Sequence, residues 1–481
     1  MSVRIVDWDI RMLQQRTRMP FRYGIATMTE FPLLFLRLSV EVDGKLSLGV
    51  SSDLLPPKWF TKDPDKAPDD EIDEMLRVIE RAVALSSDLI APNVFSFWRE
   101  LYGRQEEEAD RTNLPGLLVH FGTSLVERAI IDATTRARGQ SFATFIRDSK
   151  TGIDLGGAHA ELAGAAVDDF LPGVPLKSVF ARHTIGLLDP LSEEEIESEN
   201  RLDDGLPQSL DQCIRRYGLK HFKIKISGQP KVDLPRLDKT MAVIFEAAGS
   251  SVAFTLDANE QFRSMDEFQS YWEDLRASAW FASFFERLLF VEQPLHRDVA
   301  LETNLPSTKG ASESWPKFII DESDGDLNAL VRALKLGYNG TSHKNCKGVF
   351  KGLLNRCLIE KKRRDNTGSS YLMSGEDLCN QGPIGLQQDL AVMACLGIES
   401  VERNGHHYCR GLSGLPQSIQ ERVEKAHPDL YSDQGPGWSS LEIHSGRIEL
   451  GSVNQAPFGY GFDLPVDSLP TLAQWRAERG A

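Results

Sequence analysis

This 481-residue chain lacks any pattern among its cysteines, any excess of basic charge and any long apolar run. The cysteines, at 213, 346, 357, 379, 395 and 409, form no CxxC and no Cys/His zinc spacing. They read as reduced thiols of a cytoplasmic protein. Lysine and arginine number 54 against 70 acids, a net charge of −16. Nucleic acids and anionic membranes are bound by basic patches, so neither is an expected partner. An anionic small molecule is not excluded, because a few cations can set the field inside a pocket. No run of about 18 apolar residues is present to span a bilayer. The opening MSVRIVDWDIRMLQQR has no apolar core of the secretory kind.

What is present is a series of short apolar runs that end in polar residues. They read HFKIKISG (221–228), FTLDANEQF (254–262), FVEQPLHRD (290–298), FIIDESDGD (318–326) and GTSHKNCKG (340–348). A strand sends alternate side chains to one side, so Lys223 and Lys225 point together. The next three runs end in Asp257, Glu292 and Asp321, and the fifth in Lys344. Each gap between these anchors holds a strand, a helix and two loops, which predicts βα units and a parallel sheet. With SVFARHTIG (178–186) first, YLMSGED (371–377) seventh and SVERNGHH (400–407) eighth, the strands number eight. The expected fold is α/β, a TIM-type barrel whose strands open on one mouth.

Three carboxylates on neighbouring strands suffice for one hard dication, and Mg²⁺ suits such oxygen donors. Strands two and six lie opposite each other in a ring of eight, so Lys225 and Lys344 would face each other across it. Lys225 reads as a base, and the like charge of Lys223 beside it disfavours a second ammonium. Asn259 shares the side of Asp257. Asp321 and Glu322 should diverge if their strand continues. Only one of the two can then be the third ligand, and the other stands behind it.

These residues resemble the enolase superfamily and, within it, the muconate lactonizing enzyme subgroup. That subgroup carries Lys-X-Lys on strand two, here Lys223 and Lys225. Its metal ligands on strands three to five match Asp257, Glu292 and Asp321, and its strand-six lysine matches Lys344. The resemblance implies a (β/α)7β barrel with an α+β capping domain, Mg²⁺, a small-molecule carboxylate substrate and a homo-oligomer. It implies abstraction of an α-proton, with Lys344 as second acid/base or as a cation that stabilises the enolate. Racemisation, epimerisation or cycloisomerisation is expected before elimination. An acid-sugar dehydratase with an atypical site and a barrel that binds without catalysis are the alternatives. Two departures stand out. Strand seven, SGED, has no histidine, and strand eight, ERNGHHY, has no Asp-X-Asp. Ser374, Glu376, Glu402 and Asn404 are left to line the mouth, and His406 and His407 read as loop or packing residues.

The expected domains are a cap over 1–165, the barrel over 166–435 and a segment over 436–481 that returns to the cap. Antiparallel strands are expected before residue 60, with a hairpin at Asp43-Gly44, and helices over 69–105 and 123–148. The family's cap places loops near 20–30 and 50–60 over the mouth, with Phe21, Arg22, Tyr23, Met28, Trp59 and Phe60 as candidate contacts. The acidic run 192–204 reads as a solvated helix face, and 299–316 as a surface loop.

Overall fold

The computed structural model describes residues 2–306, 315–367, 370–435 and 437–479. Of the loop expected over 299–316, residues 307–314 lie outside the described residues.

The chain begins with a three-stranded antiparallel sheet: β1 (Val3–Tyr23), β2 (Ala26–Val42) and β3 (Lys45–Leu54). Asp43 and Gly44 join β2 to β3 with φ of 54° and 80°. Positive φ at both turn residues matches the right-handed twist of the strands. The segment near residues 20–30 is the tip of the β1–β2 hairpin, with Tyr23 paired to Ala26.

Helices α1 (Pro68–Ser86), α2 (Val94–Thr112), α3 (Gly116–Arg138) and α4 (Phe142–Arg147) follow. The helix expected over 69–105 is therefore two. Asn93 restarts the chain, its side chain accepting the Ser96 N–H at 2.7 Å. The helix expected over 123–148 is likewise broken, at Gly139, whose φ of 60° suits a left-handed end. Helical periodicity ran across both breaks because the packed face continues through them, while the caps set the ends. Helix α3 is buried from Leu117 to Thr135. It approaches β3 so closely that a Cβ at Gly49 would lie 1.9 Å from the Ala129 carbonyl oxygen.

The barrel consists of β4 (Ser178–Ile185), β5 (His221–Lys225), β6 (Ala253–Asp257), β7 (Leu288–Glu292), β8 (Phe318–Ile320), β9 (Gly340–His343), β10 (Leu372–Gly375) and β11 (Ser400–Arg403). All eight occupy the expected stretches. Consecutive strands pair in parallel, and β11 pairs back on β4 with Ser400 opposite Phe180, closing a TIM-type barrel. Helix α5 (Leu210–Tyr217) follows β4. The acidic run before it forms two exposed 3₁₀ turns, Glu193–Glu195 and Ser198–Asn200, not an α-helix. Glutamates spaced three and four apart repel on a helix face.

After the barrel, β12 (Tyr431–Asp433) pairs with β13 (Ser439–Leu441), and β14 (Arg447–Glu449) pairs antiparallel with the first residues of β4, Ser178–Phe180. The hairpin in this segment thus docks on the barrel. Contact with the cap comes later. The Tyr460 hydroxyl donates to Asp132 of α3, and Trp475 Nε1 donates to Gln14 of β1 at 3.2 Å.

Candidate active site

Side-chain alternation carries the charged groups into the barrel. On β4, Arg182 and Thr184 point inward, to Glu376 and to Glu402 respectively. On β5, Lys223 and Lys225 share one side, as the sequence predicts, and both reach Asp257 Oδ2, at 2.9 and 2.5 Å. Lys223 Nζ also lies 2.8 Å from Glu292, 2.8 Å from Glu376 and 3.0 Å from Glu402. Burial works against its charge, but these carboxylates outweigh burial and hold its pKa well above the ordinary range. Lys223 is therefore an ammonium pinned among acids, more than a neighbour that tunes Lys225.

Asp321 accepts from Lys344 at 2.8 Å, from Lys347 at 2.7 Å and from the Ser342 hydroxyl. For Lys344, burial opposes the charge and Asp321 overrides it, so its pKa is raised. Its Nζ lies 4.4 Å from the centre of the Trp59 ring, a cation–π contact from the cap. Strand β8 ends at Ile320, before the acidic pair. The expected divergence of Asp321 and Glu322 does not follow, because alternation ends with the strand. Glu322 turns to Asn259, whose Nδ2 donates to it at 3.1 Å, while Asn259 Oδ1 accepts from Lys225 at 2.8 Å.

The oxygens do not yet enclose a common point at metal-ligand distance. Among the described residues, no three of these carboxylates bring oxygens within 4.8 Å of one another. The Lys223 ammonium spaces them, and Mg²⁺ bonds of about 2.1 Å would draw them closer. Charge and unmet bonding nonetheless fit a hard dication. Six buried carboxylates (Asp257, Glu292, Asp321, Glu322, Glu376, Glu402) face five cations, Lys223, Lys225, Lys344, Lys347 and Arg182, so the acids are not all matched. Burial, then Asp257 and Glu376, push Glu292 well above the usual carboxylate range. Burial, then Asp321 and Glu260, push Glu322 up to about 7. Among the described residues neither Glu292 oxygen accepts a hydrogen bond, its contact with Lys223 being an ion pair at 2.8 Å, and Glu322 Oε2 accepts none.

The cap closes the mouth. Phe21, Tyr23, Met28 and Trp59 line a cavity with Lys223, Lys225, Asn259, Lys344, Glu402 and Asn404. Arg22 is exposed, and Phe60 packs on Phe121 with ring centres 4.5 Å apart, so these two are not among the lining residues. Ser374 sits below the mouth, bonded to Arg182 and Glu376. His343 faces outward, against Gly352.

Residues that sequence reasoning missed hold this arrangement. Arg297 forks onto Glu260 at 2.7 and 2.8 Å and donates to the carbonyls of Trp59 and Phe60 at 2.9 and 2.8 Å. Gln293 Oε1 accepts the Asp321 N–H at 2.8 Å, and its amide donates to Ser323 at 2.7 Å. Gln293, Asn259, Glu260 and Cys379 all have φ between 38° and 67°, and all follow barrel strands at the mouth. Such strain persists only where the surroundings enforce it. Asn259 the sequence does single out; for Gln293, Glu260 and Cys379 the signal available was position alone, each standing one to four residues beyond a strand end.

No family model matches the chain, and no curated protein does. Solved structures do match, and many are mandelate racemase/muconate lactonizing and other enolase-superfamily proteins. A mandelate racemase/muconate lactonizing protein from Herpetosiphon aurantiacus shares 15% identity over 96% of this chain and 99% of its own, with a TM-score of 0.58. A dipeptide epimerase from Enterococcus faecalis, complexed with Mg and the dipeptide L-Leu-L-Tyr, shares 15% over 96% and 100%, at 0.57. An enolase from Bradyrhizobium, complexed with magnesium and mandelic acid, shares 13% over 93% and 94%, at 0.56. At these identities the likeness is one of fold.

Proposed function

We propose that this chain is an enolase-superfamily enzyme that removes the α-proton of a carboxylate substrate with an apolar body. It then racemises, epimerises or cycloisomerises the product. The observation that carries the reading is one capped cavity lined by Lys223, Lys225 and Lys344, whose ammonium groups in turn contact Glu292, Asp257 and Asp321. Asp257, Glu292 and Asp321 would hold Mg²⁺, with Glu322 a fourth oxygen donor nearby. When bound, Mg²⁺ supplies Lewis-acid stabilisation of the charge that develops on the substrate carboxylate.

This chain's own groups do the rest. Lys225, oriented by Asp257 and Asn259, is placed to take the proton. Lys344, held between Asp321 and the Trp59 face, is placed to return a proton or to stabilise negative charge. Lys223 neutralises Glu376 and Glu402 and must give up its place between Asp257 and Glu292 for them to close on an ion. Phe21, Tyr23, Met28 and Trp59 exclude water and present an apolar wall, which favours aromatic or aliphatic acids over polyhydroxylated ones. Strand β10 offers Ser374 and no histidine, which speaks against a histidine-based dehydratase.

The test is Mg²⁺-dependent exchange of substrate α-protons with solvent deuterium. The substrates are N-acyl amino acids, dipeptides, aryl hydroxy acids, lactones and sugar acids. Exchange with an apolar member, lost in both Lys225→Ala and Lys344→Ala, is expected. Full activity in either variant removes that lysine from the scheme. Binding without exchange across the set would favour the non-catalytic barrel.

A further inference from the structure

Outside the barrel wall lies a second cluster with no part in this chemistry. Because Arg182 and Thr184 face inward, His183 between them faces out. There it meets Cys213 of α5 and, from the short helix Gly405–Tyr408 after β11, His406 and His407. Cys213 Sγ lies 3.4 Å from His407 Nδ1, and His183 Nδ1 lies 3.0 Å from His406 Nε2. One donor atom each from His183, Cys213 and His407 lie within 4.8 Å of one another, and all these side chains are buried. His406 Nδ1 is buried with no hydrogen-bond partner. Behind His407, Asp189 Oδ2 stands 3.8 Å from Nε2. Asp189 is itself fixed by the Tyr408 hydroxyl at 2.6 Å and the Gly186 N–H at 2.7 Å.

We propose that His183, Cys213 and His407 form a site for a borderline-soft dication, Zn²⁺, distinct from the carboxylate centre. Zinc takes imidazole nitrogen and thiolate at about 2.0–2.3 Å in a tetrahedron, which sets neighbouring donors about 3.3–3.6 Å apart. The Cys213–His407 separation already has this value, and His183 closes the triangle with a small shift. In such sites a carboxylate usually accepts the other ring N–H of a ligating imidazole, and Asp189, 3.8 Å from His407 Nε2, would take that place after a small approach. Cys213 enters as a buried thiol. Forming the sulfur–zinc bond breaks its S–H bond and releases one proton to solvent. Donor softness sorts the two centres, nitrogen and sulfur outside the wall and oxygen within it.

The ion would tie together β4, α5 and the turn after β11, on either side of the seam where the barrel closes. That turn also supports the cavity. Tyr408 stacks on Phe21 with ring centres 4.1 Å apart, and the His407 carbonyl accepts from Arg18 of β1 at 2.7 Å. The three ligands stand far apart in sequence, so cysteine spacing could not reveal them.

The test uses the full-length protein, stripped with a chelator and reloaded with Zn²⁺ or Co²⁺ in excess Mg²⁺. Expected are one zinc per chain, a thiolate-to-cobalt charge-transfer band, and a higher unfolding temperature with zinc than without. Cys213→Ser should lose the band. Zinc-edge X-ray absorption of the wild type, which needs no variant to fold, should show a mixed nitrogen and sulfur shell. An all-oxygen shell, a cobalt band that survives Cys213→Ser, or no zinc retained would each overturn the proposal.

Discussion

Arg297 offers a direct probe of how the cap is held on the mouth. Replacing it with alanine deletes four side-chain hydrogen bonds, two to Glu260 and one each to the Trp59 and Phe60 carbonyls. Glu260 would remain, its side chain 2% exposed, with Lys62 at 3.6 Å as its nearest remaining cation. Removing one partner of a buried pair costs about 3–5 kcal/mol, because the other charge stays desolvated. If that cost falls on local opening of the cap segment, protection there drops by about 10²–10⁴, at 1.4 kcal/mol per decade. The assay is amide hydrogen exchange of peptides covering residues 55–62, with the barrel strands as internal standard. Arg297→Lys should recover only part of the protection, since an ammonium cannot fork onto a carboxylate and reach two carbonyls. Unchanged exchange over 55–62 in Arg297→Ala would refute the idea that this guanidinium fastens the cap.

Gly49→Ala should lower the unfolding temperature sharply. Overpacking costs about 1–3 kcal/mol or more, and the obstacles, Ala129 O at 1.9 Å and Ala133 N at 2.6 Å, are backbone. A variant as stable as wild type would mean that β3 and α3 do not approach so closely. Burial raises Glu127 to about 7, against the backbone N–H groups of Val349 and Phe350. An acid raised in the folded state contributes stability below its unfolded pKa, near 4.5, and loses it as pH rises through about 7. Over that window wild type should therefore lose about 3 kcal/mol relative to Glu127→Gln, and parallel stability–pH curves would exclude this. Trp59→Ala should weaken binding of an apolar acid by about tenfold, or 1.4 kcal/mol, read by calorimetry, with Trp59→Phe intermediate. Equal affinities would take Trp59 out of the binding wall.

The barrel was legible because each strand is short and ends on a polar residue, and the Lys-X-Lys of β5 reads as one face wherever it is paired. Those rules apply within an element and lose force at its end. Alternation does not reach Asp321 and Glu322 because β8 stops one residue earlier, and the N–H groups of Asp321 and Ser323 bond Gln293 Oε1. Arg182 and Thr184 were overlooked as inward groups because a strand buried on both sides shows no polar alternation to mark them. Lys347 carries no strand signal, yet a 3₁₀ turn at Asn345–Lys347 brings it onto Asp321 beside Lys344. The helices of the cap were too long for a similar reason: apolar periodicity reports what is packed, whereas Asn93 reports where a helix starts and Gly139 where one stops.

The pairing of β14 with β4 has a consequence for how the chain is made. The start of the first barrel strand, Ser178–Phe180, emerges from the ribosome early, whereas its partner Arg447–Glu449 is translated more than 260 residues later. Synthesis runs at about 5–20 residues per second, so for tens of seconds the nascent strand exposes an unpaired edge. Chaperone dependence during expression, and aggregation of products truncated before residue 447, would be the cellular signature of that delay.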